Sequence, residues 1–231
     1  MPSWPFFVIS TVVGLMAGLV VAAISLRLPA ALKREWRADA LDFLELPPET
    51  ATGSADEARV WGLGSKGRLI AICAVCAGVG GLALWAHGPS LQAVLYSLLF
   101  WMLVSAAIID VETMYIPDSI VLPLLWAGML YFAVLAPDQL PGSVMGAAIG
   151  YCALRWLPVG RGDAKLCAVA GAWLGIDSLL TFGLIASALG VAVGLVYYLV
   201  RRKSEPCPYG PSLVVGFIAA HVLESKHMLM L

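Results

Sequence analysis

The sequence predicts an all-α, polytopic transmembrane helical bundle of about eight helices. Three observations predict it. Of 231 residues, 61% are hydrophobic and only 13% charged, with a mean hydropathy of +0.89, whereas an average soluble domain carries roughly 25% charge. The apolar residues gather in runs close to the length that a bilayer demands. The runs also lack the polar–apolar alternation that a closed transmembrane barrel requires. A net charge of −1 says nothing about a nucleic-acid partner, but there is no basic stripe interleaved with aromatics, and no nucleic acid is expected. The lipid bilayer is the first partner implied.

Phe6–Leu26 is the first span. It has no basic segment before it and no small-residue cleavage pattern after it, so it reads as a retained helix rather than a cleaved signal. In Pro29–Leu46, Leu32, Trp36, Ala40, Phe43 and Leu44 recur at helical spacing, with Lys33, Arg37, Asp39, Asp42 and Glu45 on other faces. That pattern predicts an amphipathic helix lying on the membrane surface. Pro47-Pro48 ends it, and Glu49–Lys66 is polar and reads as a flexible loop. Leu69–His87, Ser90–Ile109, Ser119–Ala136, Gly142–Pro158 and Leu179–Val200 are further spans. Leu166–Ile176 and Pro211–Leu223 are short for a crossing, but short segments are tolerated where protein surrounds them. No domain boundary or repeat interrupts residues 1–231, which form one membrane domain.

Basic residues orient the bundle. Arg27, Lys33, Arg34, Arg37, Arg59, Lys66 and Arg68 surround the 28–68 loop, Arg155, Arg161 and Lys165 frame a glycine turn, and Arg201, Arg202 and Lys203 follow a late span. With eight crossings these fall on one side, leaving only Lys226 of the 14 basic residues opposite. The positive-inside rule makes that side cytoplasmic.

Two acidic turns fall on the same side. Asp110-Val-Glu112-Thr-Met-Tyr-Ile-Pro-Asp118 follows the third span, and Gly160-Arg-Gly162-Asp163-Ala-Lys165-Leu166 follows the fifth. The two glycines allow a sharp turn and a close approach of backbone. An ionisable group held where hydrocarbon meets water is a functional candidate. If Asp110 and Asp163 approach in a partly dehydrated cleft, both cannot ionise cheaply and one keeps its proton. One carboxylate then activates water while the other acid protonates a substrate carbonyl, which is the arrangement of aspartic proteolysis. The competing structural reading makes them helix caps or interface charges. A proton-coupled transporter is a third reading, but its carboxylates belong near the midplane, commonly with inverted repeats, and these lie at span ends without a repeat.

No metal site is expected. His87, His221 and His227 are scattered in sequence, without a histidine–carboxylate spacing typical of one. Of the five cysteines (Cys73, Cys76, Cys152, Cys167 and Cys207), the Cys73-x-x-Cys76 pair lies inside a span and reads as packing thiols.

The segment Ile109-Asp110-Val-Glu-Thr-Met-Tyr-Ile-Pro117-Asp118 through Gly128 resembles the first catalytic motif of the type IV prepilin peptidases. Gly160-Arg-Gly162-Asp163-Ala-Lys165-Leu166, followed by Gly171-Ala-Trp173-Leu-Gly175, is similar to their second motif, and Pro206-Cys-Pro208-Tyr209-Gly210-Pro211 to the Pro-Phe-Gly-Pro turn that opens their last helix. The three motifs stand in the right order within residues 100–220, the expected peptidase core. The resemblance implies a multi-pass aspartic endopeptidase of the bacterial inner membrane, its active site facing the cytoplasm. It would remove the basic leader from prepilins or pseudopilins, with Asp110 and Asp163 as the catalytic pair. Asp118 would support structure or contact substrate, and Glu112 stands where many members have Asp. Gly160, Gly162 and Lys165 belong to the second motif's supporting set. Glu112, Asp118 and Asp163 would make the cleft mouth acidic, which suits a Lys/Arg-rich leader; the alternative is a solvated loop balanced by Arg161 and Lys165.

Many members also methylate the new N-terminus with S-adenosylmethionine. This sequence keeps the frame of their first helix in Gly18 to Pro29, but Val or Ala stands at the Ser and Asn positions. The paired Cys-x-x-Cys motifs of their cytoplasmic loop are absent from 28–68, which reads as a reduced remnant of that region. The resemblance therefore implies a peptidase that needs no cofactor, with S-adenosylmethionine relevant only to a bifunctional alternative.

Overall fold

The computed structural model describes residues 4–44, 65–157, 160–201 and 207–230. Pro47-Pro48, most of the expected Glu49–Lys66 loop, Pro206 and the side chain of His227 lie outside the described residues. Among these residues seven α-helices follow in chain order: α1 Trp4–Phe43, α2 Ser65–His87, α3 Leu91–Thr113, α4 Asp118–Leu135, α5 Leu140–Arg155, α6 Arg161–Arg201 and α7 Gly210–Met230. A 3-10 turn, Pro137–Gln139, joins α4 to α5. Among the described residues there is no strand. Many apolar side chains of α1 and α6, such as Val8, Met16, Leu184 and Val191, face outward. In water such a surface would be costly, whereas hydrocarbon is its natural solvent.

Two features differ from the expected layout. The first span and the amphipathic segment are one 40-residue helix, with Pro29 inside it. Proline removes one backbone donor and crowds the carbonyl four residues earlier, yet the helix runs through. The exposed edge of Trp36 then meets Tyr115, ring centroids 4.8 Å apart, so the far end of α1 lies against the turn after α3.

The second difference is in α6, which carries both the short run Leu166–Ile176 and the span Leu179–Val200. Gly175 has φ 72 and ψ 179, a conformation essentially restricted to glycine, so the helical run is broken there. The direction of the break follows from Tyr209, which bonds to Ser187 and also senses the charge of Asp163. A straight helix would hold those two residues about 36 Å apart. The chain therefore reverses at Gly175, and α6 is a pair of arms. Among the described residues five helices are long and apolar enough to cross a membrane, α6 being taken as one. Among the described residues there are seven helices, and with the two arms of α6 counted separately, as the sequence has them, they make the eight segments expected.

Small residues set the helix spacing. Ser143 Oγ donates to the Ala172 carbonyl at 2.6 Å, tying α5 to the first arm of α6. A Cβ on Gly171 would fall on the Gly146 carbonyl, so those helices touch backbone to backbone. Gly175, four residues on, has nothing near its Cβ position, and its backbone angle is what requires glycine. Trp173 is buried and donates through Nε1 to the Leu124 carbonyl at 2.8 Å, its ring lying over Gly128. Trp126, by contrast, is exposed. The central core of Phe100, Leu103, Ile109, Ile120, Val121, Val169 and Leu213 joins α3, α4, α6 and α7.

Candidate active site

The end of α3 and the starts of α4, α6 and α7 meet at one end of the bundle. Asp110 occupies the last turn of α3. Its own carbonyl accepts a 2.7 Å bond from the N–H of Met114, whose left-handed backbone (φ 55) stops the helix. The chain then turns through Tyr115, Ile116 and Pro117 into α4. Both Asp110 and Asp163 are buried, at 5% and 8% exposure, although each is a charged residue type. Such burial requires partners.

Asp110 finds its partner at the start of the last helix. The backbone N–H of Gly210 donates to Asp110 Oδ2 at 2.9 Å. Gly210 opens α7, so the carboxylate also lies at the positive end of that helix. Only glycine permits this approach: a Cβ there would lie 2.7 Å from Oδ2 and 3.1 Å from Cγ.

The second motif does the equivalent for Asp163. Its backbone N–H donates to the Gly160 carbonyl at 3.1 Å, while its side chain accepts from the Gly160 backbone N–H. The second bond is one half of a capping box, the acid at the third helical position reaching back to the N–H before the helix, while Gly160 supplies its carbonyl rather than a side chain. A Cβ on Gly160 would come 2.9 Å from Asp163 Oδ2. Gly162 has another task, because its Cβ position is 2.9 Å from Cβ of Ile116, so the turn before α6 rests on the turn after α3. The contact carries Asp163 towards Asp110, and the two carboxyls interact electrostatically. The structural reading as a cap thus holds at Asp163, and the cap is what holds the carboxyl in place.

The remaining acids are engaged by cations. Lys165 Nζ reaches both carboxylate oxygens of Asp118 at 2.6 Å, joining the first motif to the second at a half-exposed position. Glu112 Oε1 pairs with Arg68 at 2.7 Å, and Arg68 also donates to Ser25 Oγ at 2.9 Å. The side chains of Arg68 and Glu112 are only 15% and 13% exposed, so this network clamps α1, α2 and α3 together. Glu112 and Asp118 are therefore charge-balanced, as the solvated-loop alternative has it for Asp118, rather than open carboxylates at a cleft mouth. The sequence reading did not single out Arg68, Ser25 or Gly210 as site residues. Gly210 stood in a legible turn motif, but its contact with a residue 100 positions away exists only in the fold.

The N-terminal half bears on methyl transfer. Val21 and Ala22, within the stretch that departs from the bifunctional pattern, are buried in an apolar cluster with Ile72, Cys76 and Val104. Gly18 packs against the Cα of Cys73. The side chains of Val21 and Ala22 fill space and offer no polar group to S-adenosylmethionine or to an amine.

A bundle of long apolar helices with two buried aspartates at one end defines a polytopic membrane protein with a carboxylate-pair site. Comparison with known proteins makes the class specific. The type IV leader peptidase family matches residues 97–195. A prepilin leader peptidase/N-methyltransferase of Pseudomonas putida is 32% identical over 260 residues, covering 93% of this chain and 90% of that protein. One from Burkholderia pseudomallei is 31% identical over 268 residues (95% and 86%), and one from Aeromonas hydrophila 38% identical over 136 residues (53% and 47%). This chain belongs to the type IV leader peptidase family. The first two alignments are longer than the chain itself, so those relatives carry residues within them that this chain lacks. No solved structure matches it.

Proposed function

We propose that this protein is an aspartic endopeptidase of the bacterial inner membrane. It removes the basic leader from type IV prepilins or pseudopilins at the cytoplasmic face, with Asp110 and Asp163 as the catalytic pair. The observation that carries the reading is the convergence of these two buried carboxyls from separate helices at one end of the bundle. Each is held by a backbone N–H and each is approached by a glycine, which leaves the rest of the carboxyl available to a water and a peptide carbonyl. In the hydrolytic step one carboxylate takes a proton from water as its oxygen attacks the scissile carbonyl, and the protonated partner gives its proton to the carbonyl oxygen. The basic loops expected on this side support a cytoplasmic site by the positive-inside rule. Residues 100–220 form the peptidase core, and 28–68 is a reduced remnant of the methyltransferase region.

A second reading, the bifunctional enzyme, is favoured by the relatives' printed names, which include N-methyltransferase. Against it stand the apolar packing of Val21 and Ala22 and the cysteine-free 28–68 segment. The test is to incubate the purified full chain with a prepilin in lipid and read the product by mass. Cleavage after the basic leader is expected; an intact prepilin under conditions that preserve the fold would refute the proposal.

A further inference from the structure

His87 and His221, scattered in sequence, meet in the fold at the opposite end of the bundle from Asp110. Their Nε2 atoms are 2.8 Å apart, with His87 closing α2 and His221 three turns along α7. Tyr96 of α3 stacks on both rings, 4.7 Å from His87 and 4.0 Å from His221. His221 is 6% exposed and is further enclosed by Phe100 and Phe217. The polar groups facing the pair are Gln92, which bonds to His87, and Tyr96, both from α3. Tyr131 of α4 bonds to Tyr96, and Glu224 of α7 acts electrostatically on Tyr96. From α6 the neighbour is Trp173, which carries no charge and packs on Tyr96 and Tyr131.

The chemistry of this contact is restrictive. A neutral imidazole offers one donor and one acceptor nitrogen, and a protonated one offers two donors. At 2.8 Å, one Nε2 must carry the proton and the other must accept it. If both rings are protonated, two N–H donors and two positive charges face each other with no acceptor between them. The contact therefore exists only while at least one ring is neutral, and its loss on acidification follows from the geometry.

What the contact holds is α7. This helix is continuous from Gly210 to Met230, so its seating at His221 is transmitted along about 16 Å to the Gly210 N–H that binds Asp110. The geometry points to His87 and His221 as a proton-sharing latch that positions α7, and through it the Gly210 N–H, on Asp110, and that releases when both rings are protonated. They are positioning residues, and the inference rests on Asp110 being catalytic.

The test reads Gly210 directly. Tyr209-Gly210 is the only Tyr-Gly step in the sequence, so labelling Tyr with carbonyl carbon-13 and Gly with nitrogen-15 isolates one amide signal. The full chain in lipid nanodiscs is titrated from neutral to acid, as wild type, His87→Gln and His221→Gln. Leader cleavage is measured across the same range. The latch predicts an acid step in the wild-type Gly210 signal that both variants lose, with a matching change in the acid limb of their cleavage profiles. If one variant does not fold, the other decides. Superimposable Gly210 titrations in wild type and variant would overturn the latch whatever the cleavage assay shows. A lost step with an unchanged cleavage profile would overturn the positioning role. Failure of the catalytic assignment shows separately, as cleavage retained by Asp110→Asn.

Discussion

The N–H of Gly210 donates to Oδ2 of Asp110 at 2.9 Å, joining the first residue of the last helix to the last turn of α3. The bond leaves no room for a side chain. Gly210→Ala would place a methyl group 2.7 Å from the carboxylate oxygen, so either α7 or Asp110 must move. Displacements of this kind cost on the order of 10–100-fold in turnover. Leader-cleavage rates of Gly210→Ala should fall by that amount while the protein still inserts; wild-type turnover would show that this hydrogen bond is not needed.

Asp118 and Lys165 form a bidentate contact, but their side chains are 46% and 30% exposed. An exposed pair of that kind contributes about 0–1 kcal/mol. Asp118→Asn should therefore lower the unfolding temperature little and leave most cleavage activity. A loss as complete as that of Asp110→Asn would reassign the catalytic acid of the first motif.

Glu112 is in a different situation, since its partner Arg68 is mostly buried. Glu112→Gln leaves the guanidinium with Ser25 and without its counter-charge. Leaving a buried donor poorly satisfied costs about 1–3 kcal/mol, and more if the charge is fully enclosed. Thermal unfolding in detergent should show a clear loss of stability in Glu112→Gln, larger than in Asp118→Asn. The reverse ranking would mean that burial is not what separates the two ion pairs.

Product released by this enzyme alone, with S-adenosylmethionine present, should carry a free and unmethylated N-terminal amine. The buried Val21 and Ala22 have no group with which to orient an amine. A product heavier by one methyl group would place the cofactor on residues outside this helix face.

The spans, the helical class and the two acidic turns were legible in the sequence because each is written locally, in runs of apolar residues or in a short motif. Relations between distant segments were not. Nothing near Gly210 announces that its amide will serve Asp110, and nothing near Arg68 announces Glu112. Pro29 looked like the start of a separate helix because proline usually interrupts one, yet α1 continues through it. Gly175 stands at a packing spacing from Gly171, but the backbone reversal is what demands glycine there. The histidines looked scattered because α2 and α7 are far apart in the chain and adjacent in the bundle.

The most direct measurement is the mass of a prepilin after incubation with purified wild type, Asp110→Asn and Asp163→Asn in the same lipid. Asparagine keeps the size of aspartate and can retain the Gly210 and Gly160 contacts, but it neither takes a proton nor holds the charge. Wild type should yield the shortened subunit, and both variants should insert and fold yet leave the prepilin at full length. Substantial shortened product from either variant would contradict the assignment of Asp110 and Asp163 as the catalytic pair.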